Sequence, residues 1–188
     1  MLVTSIILTV NNMASKNKNK NRNKKKISGP TMAELADKHI CYEDSVQCVE
    51  SEIDFVDNTF KKLRKRYANT LREDFCGTTN TSCEWIKRRN TNTAISIDLD
   101  EEVLAWGKQH KIAKLNDDQQ KRITVLNDNV LTVKTEPVDI ILAMNFSYWL
   151  LKERKLTIEY FKSIYKALVK DGIFFLDAYG GYEAFQEM

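Results

Sequence analysis

Glycine and proline are scarce in this chain, with six glycines and two prolines in 188 residues. Gly29, Gly77, Gly107, Gly172, Gly180 and Gly181 form no G-x-G-x-x-G run, which excludes the glycine-rich pyrophosphate loop. The single Gly-Lys pair, Gly107-Lys108, is followed by Gln109, so the Walker-type phosphate loop is excluded as well. Two histidines, His39 and His110, stand apart from any ligand set and leave little for a histidine metal centre or a serine triad. The four cysteines form two C-x6-C pairs, Cys41/Cys48 and Cys76/Cys83, a spacing of neither zinc sites nor redox C-x-x-C motifs. They are expected to be buried small hydrophobes. No apolar run is long enough to span a bilayer. The opening MLVTSIILTV has no preceding positive charge and no small-residue cleavage site after it, so it is not read as a signal peptide, and Met13 is the expected working start.

Hydrophobic residues make up 43% of the chain and charged ones 29%, the balance of a soluble globular protein, and the length suits one domain with a good core. Charge is unevenly placed. Residues 1–30 hold seven bases and no acid, so the overall net charge of +3 becomes −4 for residues 31–188. Residues 14–30 are Asn/Lys-rich and end in Gly29-Pro30; a disordered basic tail over 1–30 is expected, followed by one domain over 31–188. A mildly acidic domain gives no reason to expect a nucleic-acid surface. The tail alone could hold polyanions or direct the chain to the nucleus; otherwise the expected location is the cytoplasm.

From about residue 50 the apolar residues Ile53, Val56, Phe60 and Leu63 recur at helical steps, with a cationic C-terminal end at residues 61–66. A short strand is predicted over Ala68–Phe75, then a tight turn and a helix through Cys83, Trp85 and Ile86. The alternation repeats: strand Ala94–Asp98, helix Glu101–His110 with Val103, Leu104 and Trp106 inward, strand Ile123–Leu126, and the doubly buried strand Val138–Met144. A helix with Ile158, Phe161, Ile164 and Leu168 as its inner stripe is predicted to end at Asp171-Gly172, before strand Ile173–Asp177. Five strands and four helices give an α/β fold, a Rossmann-like parallel sheet covered on both faces.

In such sheets ligands bind beyond the carboxyl ends of the strands. Polar groups stand at four of those ends: the first is followed by Glu73, Asp74, Phe75, Cys76, Gly77 and Thr78, the second by Asp98, the third by Asn127, Asp128 and Asn129, and the fourth by Asn145. Asp98 follows Gly77 by 21 residues, a placement suited to a carboxylate that accepts from a ribose diol. Each aspartate could also be a helix cap. With no pyrophosphate loop, the nucleotide ligand expected here lacks a pyrophosphate, which disfavours a nicotinamide-dependent oxidoreductase.

The run Leu71-Arg-Glu-Asp-Phe-Cys-Gly-Thr78 resembles the first motif of a group within the class I S-adenosylmethionine-dependent methyltransferases. Tyr42-Glu-Asp-Ser-Val-Gln47, Ile97-Asp-Leu-Asp100, Asn145-Phe-Ser-Tyr-Trp149 and Asp177-Ala-Tyr-Gly-Gly181 extend the resemblance from about Ala36 to the C-terminus. It implies S-adenosyl-L-methionine as cofactor, with Glu73 and Gly77 bordering its methionine end and Phe75 and Thr78 beside them. Asp98 and the adjoining Leu99 would meet the ribose, Asp128 and the Asn129 backbone the adenine, and Asn145 would lie beside the transferable methyl. Where many relatives carry flanking glycines, this chain has Phe75 and Thr79. Asn145-Phe-Ser-Tyr148 is faintly similar to the Asn-Pro-Pro-Tyr signature, without its prolines. Tyr42 and Trp149 are candidates for lining the acceptor side.

A sulfonium is already a strong electrophile, so the resemblance implies an enzyme that aligns a methyl acceptor, and no catalytic residue is singled out. Sheets of this family continue past the fifth strand with a helix and an antiparallel hairpin. This sequence stops at Met188, so its fifth strand is expected to be a bare apolar edge, open to pairing with another chain. Two readings stay open: a methyltransferase that lacks the closing hairpin, active or an inactive fragment, and a non-catalytic interaction protein retaining the fold.

Overall fold

The computed structural model describes residues 29–181. The expected basic tail lies outside the described residues up to Ser28. The N-terminal unit, ending at Ala36, contains the short helix α1 (Met32–Leu35), started by a capping box in which Thr31 and Glu34 satisfy each other's backbone N–H groups.

The second unit, beginning at Asp37, is built on five parallel strands, β1 (Thr70–Asp74), β2 (Thr93–Asp98), β3 (Ile123–Asn127), β4 (Val138–Ala143) and β5 (Leu168–Leu176). Their order is β3-β2-β1-β4-β5, with β1 at the centre. The order reverses between β1 and β4, the kind of switch point at which α/β sheets bind ligands. All six residues of β4 are buried, as its unbroken apolar run predicts.

Helices cover both faces. On one, α3 (Val49–Arg64) presents Ile53, Val56 and Phe60, and α4 (Asn80–Arg88) presents Cys83, Trp85 and Ile86, to Leu71, Ile140 and Leu142 of the sheet. On the other, α7 (Arg154–Ala167) presents Tyr160, Ile164 and Ala167 to Ile97, Ile141 and Ala143. Burying a side chain of this size stabilises by about 1.5–3 kcal/mol, so the stripes on α3 and α7 fix which sides face inward. Among the described residues this unit has three further α-helices, α2 (Lys38–Val46), α5 (Glu101–His110) and α6 (Asp117–Lys121), and two short 3-10 turns, Ile112–Lys114 and Ser147–Leu150. Asp100 caps α5 by accepting from the N–H groups of Glu102 and Val103.

Several expectations need correction. Leu63 is exposed, because α3 turns its cationic last turn to solvent. Ile158 and Phe161 are exposed too; they share the helical period of α7 but sit to one side of the stripe led by Tyr160. Asp171-Gly172 does not end that helix. Helix α7 passes directly into β5 at Leu168, and Asp171 lies within the strand, where the pairing with β4 jumps from Val138/Leu168 to Ile140/Ile173. Arg66 holds Asp171 there through two hydrogen bonds of 2.9 and 3.0 Å. Between β3 and β4, where the sequence reading places no helix, the chain turns at Asn129, whose Oδ1 accepts from Leu131 N–H at 2.9 Å. Cys76 and Cys83 are buried, but Cys41 is exposed, on a helix whose only buried residue is Glu43, and Cys48 is exposed in the link between α2 and α3.

Candidate functional site

The turn between β1 and α4 is wound through three left-handed residues, Phe75 (φ 56°), Gly77 (φ 50°) and Thr79 (φ 64°). Only glycine takes this conformation without steric cost. Ties on each side over-determine it. Cys76 N–H donates to Ile97 carbonyl at 3.0 Å, Thr79 N–H to Cys76 carbonyl at 2.9 Å, and Gly77 N–H to Asp98 Oδ2 at 2.8 Å. The second oxygen of Asp98 accepts from Asp100 N–H at 3.0 Å. Asp98 thus links the turns that follow β1 and β2 and does not cap a helix; Asp100 has that task. Helix α5 lies against the turn so closely that a Cβ at Gly107 would stand 2.5 Å from the Thr78 carbonyl oxygen.

Two cavities open along the strand ends and meet at Phe75, which lines both. The larger, about 260 Å³, lies over the ends of β1 and β4, with Glu73, Gly77, Thr78 and Asn145 in its wall and His39 and Tyr42 of α2 across from them. The smaller, about 220 Å³, lies over the ends of β2 and β3 and is largely apolar. Leu99, Val130, Leu131, Leu150 and Leu151 form its sides, with Asp98 and Asn129 at its polar edge.

Carboxyl groups dominate the charge around the larger cavity. Burial raises the Glu73 carboxyl to about 7, against hydrogen bonds from Ser82 N–H at 3.0 Å and from Ser82 Oγ. Glu52 is also raised by burial, and Tyr42 is raised by burial and by the charges of Glu52 and Asp177. Asp74 belongs to the scaffold: burial raises its carboxyl, against Arg72, whose Nε lies 2.6 Å away, and Tyr160 Oη at 2.8 Å. Cys76 is in the cavity wall, but burial and the neighbouring Glu73 and Asp98 push its thiol far above the usual range, so it is no nucleophile.

Helix α2 closes this end through polar ties. Glu43 accepts from Thr78 Oγ1 at 2.5 Å and pairs with the Lys111 ammonium. Asp37, at the start of α2, accepts from Trp106 Nε1 at 2.9 Å, and Asn80 donates to Gln47 at 3.0 Å.

Of the residues singled out in the sequence, Glu73, Phe75, Gly77, Thr78 and Asn145 surround the first cavity, and Asp98, Leu99 and Asn129 the second. Asp128 is exposed and not in either wall; its Oδ1 accepts from Asn129 N–H at 2.6 Å. Tyr42 is in the first wall. Trp149 is not, and packs against Phe146 and Tyr148. Sequence reasoning missed Gly107 and, of the apolar cavity, Leu131, Leu150 and Leu151; it quoted Glu43 only as part of the Tyr42–Gln47 run and gave it no role. A glycine inside a helix was the available signal for Gly107; nothing marked the others. Among the described residues, no cluster of His, Cys, Asp or Glu could hold a metal ion, and no helix is long and apolar enough to cross a membrane.

No family model and no curated protein matches the chain. Its structure does match solved methyltransferases. The sugar N-methyltransferase KedS8 from Streptoalloteichus sp ATCC 53650 aligns with a TM-score of 0.65 at 13% identity, over 95% of this chain and 64% of that one. CalS10, an amino pentose methyltransferase from Micromonospora echinaspora solved with S-adenosylmethionine bound, aligns at 0.63 and 14%, over 77% and 57%. The glycopeptide N-methyltransferase MtfA aligns at 0.61 and 14%, over 76% and 58%. The chain therefore spans a little over half the length of these proteins. What it shares with them is the fold, the Rossmann-like sheet of class I S-adenosylmethionine-dependent methyltransferases.

Proposed function

We propose that the chain binds S-adenosyl-L-methionine across the two cavities that Phe75 lines and acts as a methyltransferase domain. The observation that carries this reading is the pair of cavities meeting at Phe75, one apolar and one with the Glu73 carboxyl in its wall, with Asp98 at the end of β2 tying the two turns together. The residues present fit the group. Leu99, Val130, Leu131 and Leu150 offer apolar walls to a purine, and Asn129 a polar edge. Each oxygen of Asp98 accepts one backbone N–H and retains a lone pair for a ribose hydroxyl. Glu73 offers a carboxyl to the cationic amino-acid end, beside a turn whose backbone is open at Gly77.

When bound, the cofactor supplies an electrophilic methyl group on a sulfonium, so the protein's work is alignment and exclusion of water. Asn145 would stand beside the methyl, and His39, Tyr42 and Ser147 would complete the wall toward the acceptor. Four free cysteines suit a reducing compartment, and the cytoplasm is the location we propose. Isothermal calorimetry with S-adenosylmethionine tests the reading: saturable binding supports it, and a folded protein that binds none overturns it.

One observation favours a second reading, an interaction protein retaining the fold. Beside β5, the last strand of the sheet among the described residues, Ile158, Phe161 and Tyr165 of α7 are exposed, and Tyr165 is 83% accessible. Strand pairing with another chain would cover them. That reading requires no cofactor, and the same titration separates the two.

A further inference from the structure

The loop after β4 carries two consecutive left-handed residues that are not glycine, Asn145 (φ 55°) and Phe146 (φ 43°). Such a pair persists only when its surroundings hold it. One side chain does so. Oδ2 of Asp177 accepts from Asn145 N–H at 3.0 Å, and Oδ1 accepts from Phe146 N–H at 2.6 Å. The sheet places it there: Ala143 of β4 pairs with Leu176 of β5, so the residue that follows β5 faces the start of the loop. The loop so fixed supplies Asn145 and Ser147 to the wall of the larger cavity. Phe146 instead joins a cluster with Trp149 and Tyr179, at ring separations of 5.8 and 5.9 Å.

We infer that Asp177 is the positioning residue of the acceptor-facing wall: its carboxylate locks the strained Asn145-Phe146 turn and thereby sets where the Asn145 side chain stands in the cavity. This rests on the reading of the cavity as the methionine end of a cofactor site. Asp177 does not line that cavity itself; it acts through the backbone of Asn145. Both oxygens are used, so the isosteric asparagine, with a single accepting oxygen, cannot replace it fully.

The experiment compares the full chain with Asp177→Ala and Asp177→Asn by residue-resolved amide exchange, and by calorimetry with S-adenosylmethionine and with S-adenosylhomocysteine, which lacks the methyl. In Asp177→Ala, exchange at Asn145 and Phe146 should quicken by about tenfold or more, the factor that a decrease of about 1.4 kcal/mol in local protection gives. Asp177→Asn should fall between. Affinity for S-adenosylmethionine should drop several-fold while that for S-adenosylhomocysteine changes little, because Asn145 stands beside the methyl that only the first compound carries. Unchanged exchange at both amides overturns the inference. Faster exchange with both affinities shifted equally also overturns it, leaving Asp177 a merely structural tie. If the unaltered protein binds neither compound, the cofactor reading fails, and the exchange result alone reports on the turn.

Discussion

Gly77 and Asp98 are joined across 2.8 Å by a hydrogen bond from the Gly77 backbone N–H to the Asp98 carboxylate, which also accepts from Asp100 N–H. One side chain therefore sets the spacing between the turn after β1 and the turn after β2. Hydrogen bonds to a charged acceptor contribute about 1.5–3 kcal/mol each. Asp98→Ala should weaken S-adenosylmethionine binding by about tenfold or more and lower the melting temperature; Asp98→Asn should show smaller losses of both. Calorimetry and thermal unfolding on the same samples check this.

Gly107 makes the closest approach of α5 to the β1–α4 turn. A methyl group there would stand 2.5 Å from the Thr78 oxygen and 2.8 Å from its carbonyl carbon, both backbone atoms that cannot swing aside. Gly107→Ala should cost about 1–3 kcal/mol, an overpacking penalty, and lower the melting temperature by several degrees. Gly180, which has nothing within 4 Å of a Cβ, should accept alanine without a measurable shift.

Glu73 gives the apoprotein a pH signature. Burial holds its carboxyl at about 7 in the folded chain, while the unfolded chain titrates it near its ordinary 4.5. The folded state binds the extra proton between those values. Its stabilising contribution is therefore full below about 4.5 and is lost as pH rises through about 7. Melting temperatures measured across that window should fall with rising pH, and Glu73→Gln should flatten the slope. A cation bound beside Glu73 favours the carboxylate, so binding near pH 6.5 should release about one proton, seen as a binding enthalpy that depends on the buffer.

Glu43 is the one buried residue of α2, and it holds both Thr78 Oγ1 and the Lys111 ammonium. Because α2 has no buried apolar side chain, these polar ties keep it over the cavity. Glu43→Ala should cost about 1.5–3 kcal/mol and speed amide exchange along Lys38–Val46 far more than in the strands. Equal protection of α2 in both proteins would contradict this.

Much of the sheet was legible in the sequence. Residues 94–98 form the strand their sequence suggests, and the run from Val138 is apolar enough to be buried on both faces; the cap of the helix after β2 is Asp100, not the Asp98 that the sequence offered for that role. The junction of α7 and β5 was not legible. Ile158 and Phe161 keep the helical period while facing outward, and Asp171-Gly172 reads as a stop although Arg66, more than a hundred residues earlier, draws Asp171 into the strand. In the site, strand ends named Glu73, Gly77, Asn145, Asp98 and Asn129 of the two cavity walls, but also Asp128, which is in neither, and they gave no sign of Leu131, Leu150 and Leu151. The left-handed backbones of Phe75 and Thr79 had no local signal, since side chains of those types rarely adopt them. Glu43 was hidden for a different reason: its partners Thr78 and Lys111 lie far along the chain, and an isolated glutamate in a helix reads as exposed.

The most direct test of the central claim is isothermal calorimetry of the full chain, shown to be folded and monodisperse, with S-adenosylmethionine and, separately, NAD. The two cavities and Asp98 predict saturable binding of S-adenosylmethionine in the micromolar range and no binding of NAD. A folded protein that takes up no S-adenosylmethionine would contradict the cofactor reading and leave the interaction protein in its place.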